Sequence, residues 1–237
     1  MKQQINVDDL GLIDYQQAWD YQENLLQQNV RIKLDASRAA VATPPATIHH
    51  LLFCEHPPVY TLGKSGHMEN LLINEQQMKE KAIAFVPTNR GGDITFHGPG
   101  QVVGYPILDL EYFFTDLGRY LRSLEEVIIL TLADYGIAAG RSKGETGVWL
   151  SPEDPATARK ICAMGVRCSR WVTMHGFALN VNTDLSYFNH IIPCGITDKK
   201  VASMHEELGG PVPVGEVKTR LQKHFGEVFG AELMVKV

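Results

Sequence analysis

RGGDITFHGPGQVVGYPILDL, residues 90–110, decides how this chain is read. The alternating apolar runs DITFHG and QVVGYPILDL predict two β-strands, and the HGPG between them predicts a turn, so the two strands are expected to be neighbours. The first twelve residues hold four glycines, Arg90, His97 and Pro99. A plain hairpin needs only one or two such residues. Glycines let a ligand approach the main chain, Arg90 can grip an anion or a carbonyl, and His97 can donate or accept a hydrogen bond. The stretch therefore reads as a binding loop. It matches neither GxGxxG nor GxxxxGK[ST], so no nucleotide phosphate is inferred from it.

On the N-terminal side, Tyr15, Ala18, Trp19, Leu25, Leu26 and Val30 recur near helical spacing, predicting an amphipathic helix from Asp14 to about Lys33 with Asp14 as its cap. Its aromatic face is expected in the core. Small and proline-bearing residues over 36–45 predict a loop, IHHLLFCEH a strand, HPPVYTLG a strand, a turn and a strand, and residues 74–81 a short helix before AIAFVPTN. On the C-terminal side, residues 115–135 carry the clearest helical stripe, with Leu117, Tyr120, Leu121, Leu124, Ile128, Leu132 and Tyr135 on one face and Gly136 as the stop. TGVWLS, RKICAMGVRCSR and WVTMHGFALNVN follow as an expected antiparallel set, and a last helix spans 214–229. Strands mixed with a few flanking helices give an α+β or mixed α/β sheet. One domain over residues 1–237 is expected for a chain of this length.

A formal net charge of -5 argues against a general nucleic-acid binder. Between residues 138 and 176, Arg141, Lys143, Arg159, Lys160, Arg167 and Arg170 outnumber the acids, which is either a patch for an anionic partner or a solvated face. No basic segment followed by an apolar core opens the sequence and no run of about 18 apolar residues occurs, so export and membrane spanning are not expected. A cytoplasmic protein is the expectation. Its cysteines, 54, 162, 168 and 194, match neither a disulfide framework nor paired zinc ligands, and no metal is called for.

IIPCGITDKK sets Cys194 between a proline that fixes the backbone and a glycine that leaves room beside the sulfur. That makes it the candidate reactive thiol, whereas Cys54 inside LLFCEH reads as a small buried hydrophobe. A free thiol titrates near pH ~8.5, so nucleophilicity at neutral pH needs a cation or base nearby. Lys160, His97 and His175 are the candidates, and local sequence does not choose among them.

Taken together, RGGDITFHGPGQVVGYPILDL, GVW at 147–149, KICAMGV from 160, SRWVTMHGFALNVNTDL from 169 and IIPCGI from 191 resemble the octanoyltransferases of the lipoate pathway, over roughly residues 14 to 208. The resemblance implies the fold of the biotin and lipoate ligase catalytic domain, a larger mixed sheet plus a smaller sheet flanked by helices. It implies transfer of an octanoyl or lipoyl group from acyl carrier protein to a lysine of apo lipoyl domains, in 2-oxoacid dehydrogenase subunits and the glycine-cleavage H protein, by a monomer without cofactor, nucleic acid or membrane. Carried across by residue, Cys194 forms the acyl thioester and Lys160 lowers its pKa and moves protons. Arg90, Gly91, Gly92, Asp93, Ile94, Thr95, Phe96 and His97, with Ala163, Met164 and Gly165 and with Gly176, Phe177 and Ala178, line the acyl pocket. Backbone N–H groups near Cys194 or at 175–177 would hold the oxyanion. The chain departs from the family pattern at Asn89, Phe96 and Cys162. Two other readings are an ATP-dependent ligase, against which stands the lack of a GRGRxGRxW-like loop, and a non-catalytic acyl-binding protein, against which stand Cys194 and Lys160.

Overall fold

The run LLFC at 51–54 is apolar without alternation because both of its faces are covered. In the computed structural model, which describes residues 2–39, 46–192 and 200–235, it lies in strand β2 (His49–Glu55). Leu51 and Phe53 enter one core cluster and Leu52 and Cys54 enter another on the opposite face. The second cluster is closed by α1 (Tyr15–Ala39) through Ala18, Leu25, Leu26 and Val30. The first is closed by α3 (Leu117–Ala133) and α5 (Val214–Phe229), through residues such as Leu124, Ile128, Leu132, Leu221 and Phe225.

The large sheet between these helices also contains β1 (Gln4–Leu12), β6 (Gln101–Ile107), β7 (Val148–Leu150), β8 (Arg159–Ser169), β9 (Val172–Asn180), β10 (Lys200–Val201) and β11 (Glu232–Val235). Among the described residues its order is β10-β8-β9-β6-β2-β1-β11, with β7 on β8. β1 runs parallel to both β2 and β11, β10 runs parallel to β8, and the other pairings are antiparallel. A smaller sheet of order β4-β3-β5 joins β3 (Val59–Leu62), β4 (Ala84–Pro87) and β5 (Ile94–His97). Its own core holds Tyr60, Ile94, Phe96, Phe188 and Ile191. Short helices α2 (Glu75–Glu80) and α4 (Met204–Leu208) complete the mixed α+β architecture that the sequence predicts. No helix among the described residues is long and apolar enough to cross a membrane.

The caps follow the sequence. Asp14 Oδ1 accepts from the backbone N–H groups of Gln16 and Gln17, Asp116 does the same for Arg119, and Gly136 takes φ +73° just beyond α3. Two expectations are corrected. The first helix runs on through 34–39, into the stretch read as a loop, whose remainder (40–45) lies outside the described residues. The strands flanking HGPG are not neighbours: β5 pairs with β3 in the small sheet, whereas β6 lies between β2 and β9 in the large one. The HGPG turn is therefore the crossing from one sheet to the other, not a hairpin.

Candidate active site

Between that crossing and the β8–β9 end of the large sheet lies a cavity of ≈ 660 Å³, within the ordinary size range of ligand pockets. Register pairs Ala163 with Ala178 and Gly165 with Gly176, so four small residues stand side by side on the two strands. The size is set by close packing. A Cβ on Gly165 would lie 2.5 Å from the Gly91 carbonyl oxygen, and one on Gly176 would come closer still to that of Gly104. The 90–92 segment crosses the β8 edge with the Gly91 N–H donating to Val166 O at 3.0 Å.

Arg90 is buried, and its guanidinium donates to Thr61 O at 2.7 Å, Thr61 Oγ1 at 2.8 Å and Gly91 O at 3.1 Å. It thus ties its own loop to β3. Asp93 is likewise engaged internally, accepting from Asn70 Nδ2 at 2.6 Å and from the backbone N–H groups of Ile94 and His67.

His97 lies against Gln101, whose amide donates to Phe96 O and Asn180 Oδ1 and so leaves Oε1 as the acceptor for His97 Nδ1–H at 2.8 Å. Its Nε2 faces the Thr61 hydroxyl at 3.3 Å. Burial, then the charges of His56 and Arg90, push its pKa well below the ordinary value. His175, at φ +57°, meets Asn89 Oδ1 through Nε2 at 2.7 Å, and burial followed by Arg90 and Arg167 lowers its pKa to about 3. Both imidazoles are neutral at pH 7, so neither offers a cation to a thiolate. Moreover, the His175 N–H donates to Gln22 Oε1 at 2.9 Å, which removes it from the candidate oxyanion donors.

Lys160 and Arg90 are the cations among the described lining residues. Lys160 sits on β8 with Nζ 4.6 Å from the centroid of the Trp149 ring. The neighbouring 144–147 turn is braced by buried Glu125, which accepts from Gly147 N–H at 2.9 Å and pairs with Arg122 and Arg141. Three of the six basic residues noted in the sequence patch are ion-paired: Arg141 to Glu125 and Glu126, Arg159 to Glu207, and Arg167 to Glu23.

Of the residues named from the sequence, Arg90 to Thr95, His97, Lys160, Ala163 to Gly165 and Gly176 to Ala178 line the cavity. Phe96 does not. As its strand alternates, its ring turns into the small-sheet core and stacks on Tyr187 at 4.5 Å. Cys194 lies outside the described residues, and its nearest described neighbours are Ile192 and Lys200. Ile192 N–H donates to Asn70 O at 2.8 Å, and Val201, which lines the cavity, is the register partner of Lys160. Sequence reasoning missed Tyr15, Gln101, Tyr105, Leu117, Leu121 and Asn180 as lining residues. Tyr15 was visible only as a member of a stripe read as core, and Leu117 and Leu121 only as members of the helical stripe over 115–135. Leu117, at 37 % exposure, betrays that its stripe overruns the packed part of α3.

Residues 14–226 match the profile of the lipoyl protein ligase A/B catalytic domain. An octanoyltransferase of Flavobacterium johnsoniae is 60% identical over 235 residues, covering 99% of this chain and 100% of that protein. One of Christiangramia forsetii is 58% identical over 234 residues, covering 98% and 99%. Among solved structures, a bipartite lipoate protein ligase from Thermoplasma acidophilum, analysed with its E2 lipoyl domain, superposes with TM-score 0.70 at 17% identity, covering 100% of this chain and 87% of that one. A lipoate-protein ligase A bound with ATP gives 0.68 at 15%, covering 100% and 90%.

Proposed function

The chain belongs to the lipoyl protein ligase A/B catalytic domain family, and from that membership we propose that it is the octanoyltransferase that loads lipoyl domains from acyl carrier protein through a thioester on Cys194. Its full-length likeness to octanoyltransferases makes it an acyltransferase. One observation carries the finer reading: a cavity walled by Ala163, Gly165, Gly176 and Ala178 has Lys160 in its lining, on the strand that β10 joins just after the segment bearing Cys194.

In the first half-reaction the Cys194 thiolate attacks the carrier thioester carbonyl. A C–S bond to Cys194 forms, the C–S bond to the carrier breaks, and the carrier thiolate takes a proton held by Lys160. In the second, the neutral acceptor lysine attacks the Cys194 thioester, the amide C–N bond forms, the C–S bond breaks, and Lys160 takes the proton the amine sheds. Exchange of one thioester for another is nearly neutral and the amide is more stable than either, so the sequence runs without ATP. The acceptors are apo lipoyl domains of 2-oxoacid dehydrogenase subunits and the glycine-cleavage H protein, and a reducing cytoplasm suits the free thiol.

Intact-mass measurement after mixing with octanoyl carrier protein tests this. The expected result is one octanoyl adduct, mapped to Cys194, that transfers to an apo lipoyl domain. No adduct, or an unchanged adduct in Cys194→Ala, would overturn the assignment. Pyrophosphate release from ATP and free octanoate would point to a ligase instead.

A further inference from the structure

Two hydrogen-bonded pairs, one part-buried and one buried, run from the glycine-rich stretch toward the described residues that flank 193–199. On the upstream side Asp93 Oδ2 accepts from Asn70 Nδ2 at 2.6 Å, and the Asn70 carbonyl accepts from Ile192 N–H at 2.8 Å. Leu72 N–H to His190 O at 2.9 Å and the Leu71–Ile191 bridge make this a short antiparallel ladder. On the downstream side Gln101 Nε2 donates to Asn180 Oδ1 at 2.9 Å, and Asn180 Nδ2 donates to Ala202 O at 3.0 Å. Ala202 N–H in turn donates to Lys160 O at 2.9 Å. The four side chains are spent on one another, on backbone and, for Gln101, on His97, and Asn70, Gln101 and Asn180 are buried. A buried amide that loses its partner costs far more than the bond itself contributes, so each pair fixes a position rather than merely filling space.

We propose that Asp93–Asn70 and Gln101–Asn180 are positioning pairs for the acyl transfer, acting through Ile192 and Ala202, the described residues they fix on either side of the segment that bears Cys194. The inference rests on Cys194 being the nucleophile. Because Asp93 and Gln101 also line the cavity, the stretch that walls the acyl site also fixes Ile192 and Ala202.

The test is a donor–acceptor swap. Asn70→Asp places two carboxylates face to face. Combining Asn70→Asp with Asp93→Asn restores the hydrogen bond in the reverse direction, while the amide oxygen introduced by Asp93→Asn still serves the Ile94 and His67 N–H groups. The readouts are single-turnover octanoylation of Cys194, the pH midpoint of Cys194 alkylation by iodoacetamide resolved by peptide mass, and the melting temperature. Asn70→Asp is expected to slow octanoylation about 30-fold or more, as small misplacements do, and to raise the alkylation midpoint. The swap is expected to return both to within about threefold of the parent. Octanoylation within about twofold in Asn70→Asp overturns the proposal, as does a swap variant that melts like the parent yet stays slow. Should Asn70→Asp fail to fold, Asn180→Leu becomes the deciding variant, and it must show the same slowing at saturating donor. A parent protein that acquires no octanoyl group on Cys194 defeats the functional reading instead, whatever the variants do.

Discussion

The α3–α5 side of the large sheet and its β8–β9 end are filled in opposite ways. Under the helices, Leu124, Ile128, Leu132, Leu221 and Phe225 close the space with branched and aromatic side chains. At the cavity, Ala163, Gly165, Gly176 and Ala178 keep it open, and a chain of hydrogen bonds links Arg90, Thr61, His97, Gln101 and Asn180. One region is built to stay folded. The other spends burial on keeping a shape into which a substrate fits, and its polar groups are safe only while every partner is in place.

If this division is sound, the largest effect comes from chemistry at the cavity with no loss of fold. Lys160→Arg keeps the charge but not the proton transfer, and is expected to lower kcat about 10²-fold to 10³-fold at an unchanged melting temperature. Normal turnover would break the comparison at its strongest point. On the other side, Leu124→Ala is expected to cost about 3 kcal/mol in chemical denaturation while activity per folded molecule stays at the parent value. Gly165→Val intrudes on the Gly91 carbonyl and is expected to cost about 1–3 kcal/mol. Unlike Leu124→Ala, it should also raise the donor KM in steady-state assays, because the displaced 90–92 segment walls the cavity.

The smallest effect is a pH dependence that both regions share. Burial lowers the pKa of His175 to about 3 at the cavity and that of His49 to about 4 far from it. Between these values and the unfolded value near ~6.5 the unfolded chain binds more protons, so stability is full above about pH 6.5 and falls as pH drops toward 4. Denaturation midpoints at pH 4.5 and 7.5 should differ in that sense, and His49→Gln should reduce the difference without changing activity at pH 7.5.

The packed region was the more legible in the sequence. IHHLLFCEH was legible as a strand, and the α3 stripe stopped by Gly136 gave its helix to within two residues. β1 was missed because only its first half is buried, at Ile5 and Val7, and β10 because two residues carry no pattern. At the cavity, glycine density marked the loop. The positioning pairs were invisible because their partners stand 23 and 79 residues apart in the chain, and the fate of Phe96 depended on which sheet β5 joins.

The pairing of β1 with β11 has a consequence for biogenesis. Gln4 to Val7 lie against Glu232 to Val235, so β1 is synthesised more than two hundred residues before the strand that completes its outer edge. Until then its outer edge presents unpaired N–H and C=O groups to any extended peptide nearby. Nascent chains stalled before residue 232 should therefore be the species that holdase chaperones capture, and released chains that include β11 should escape them.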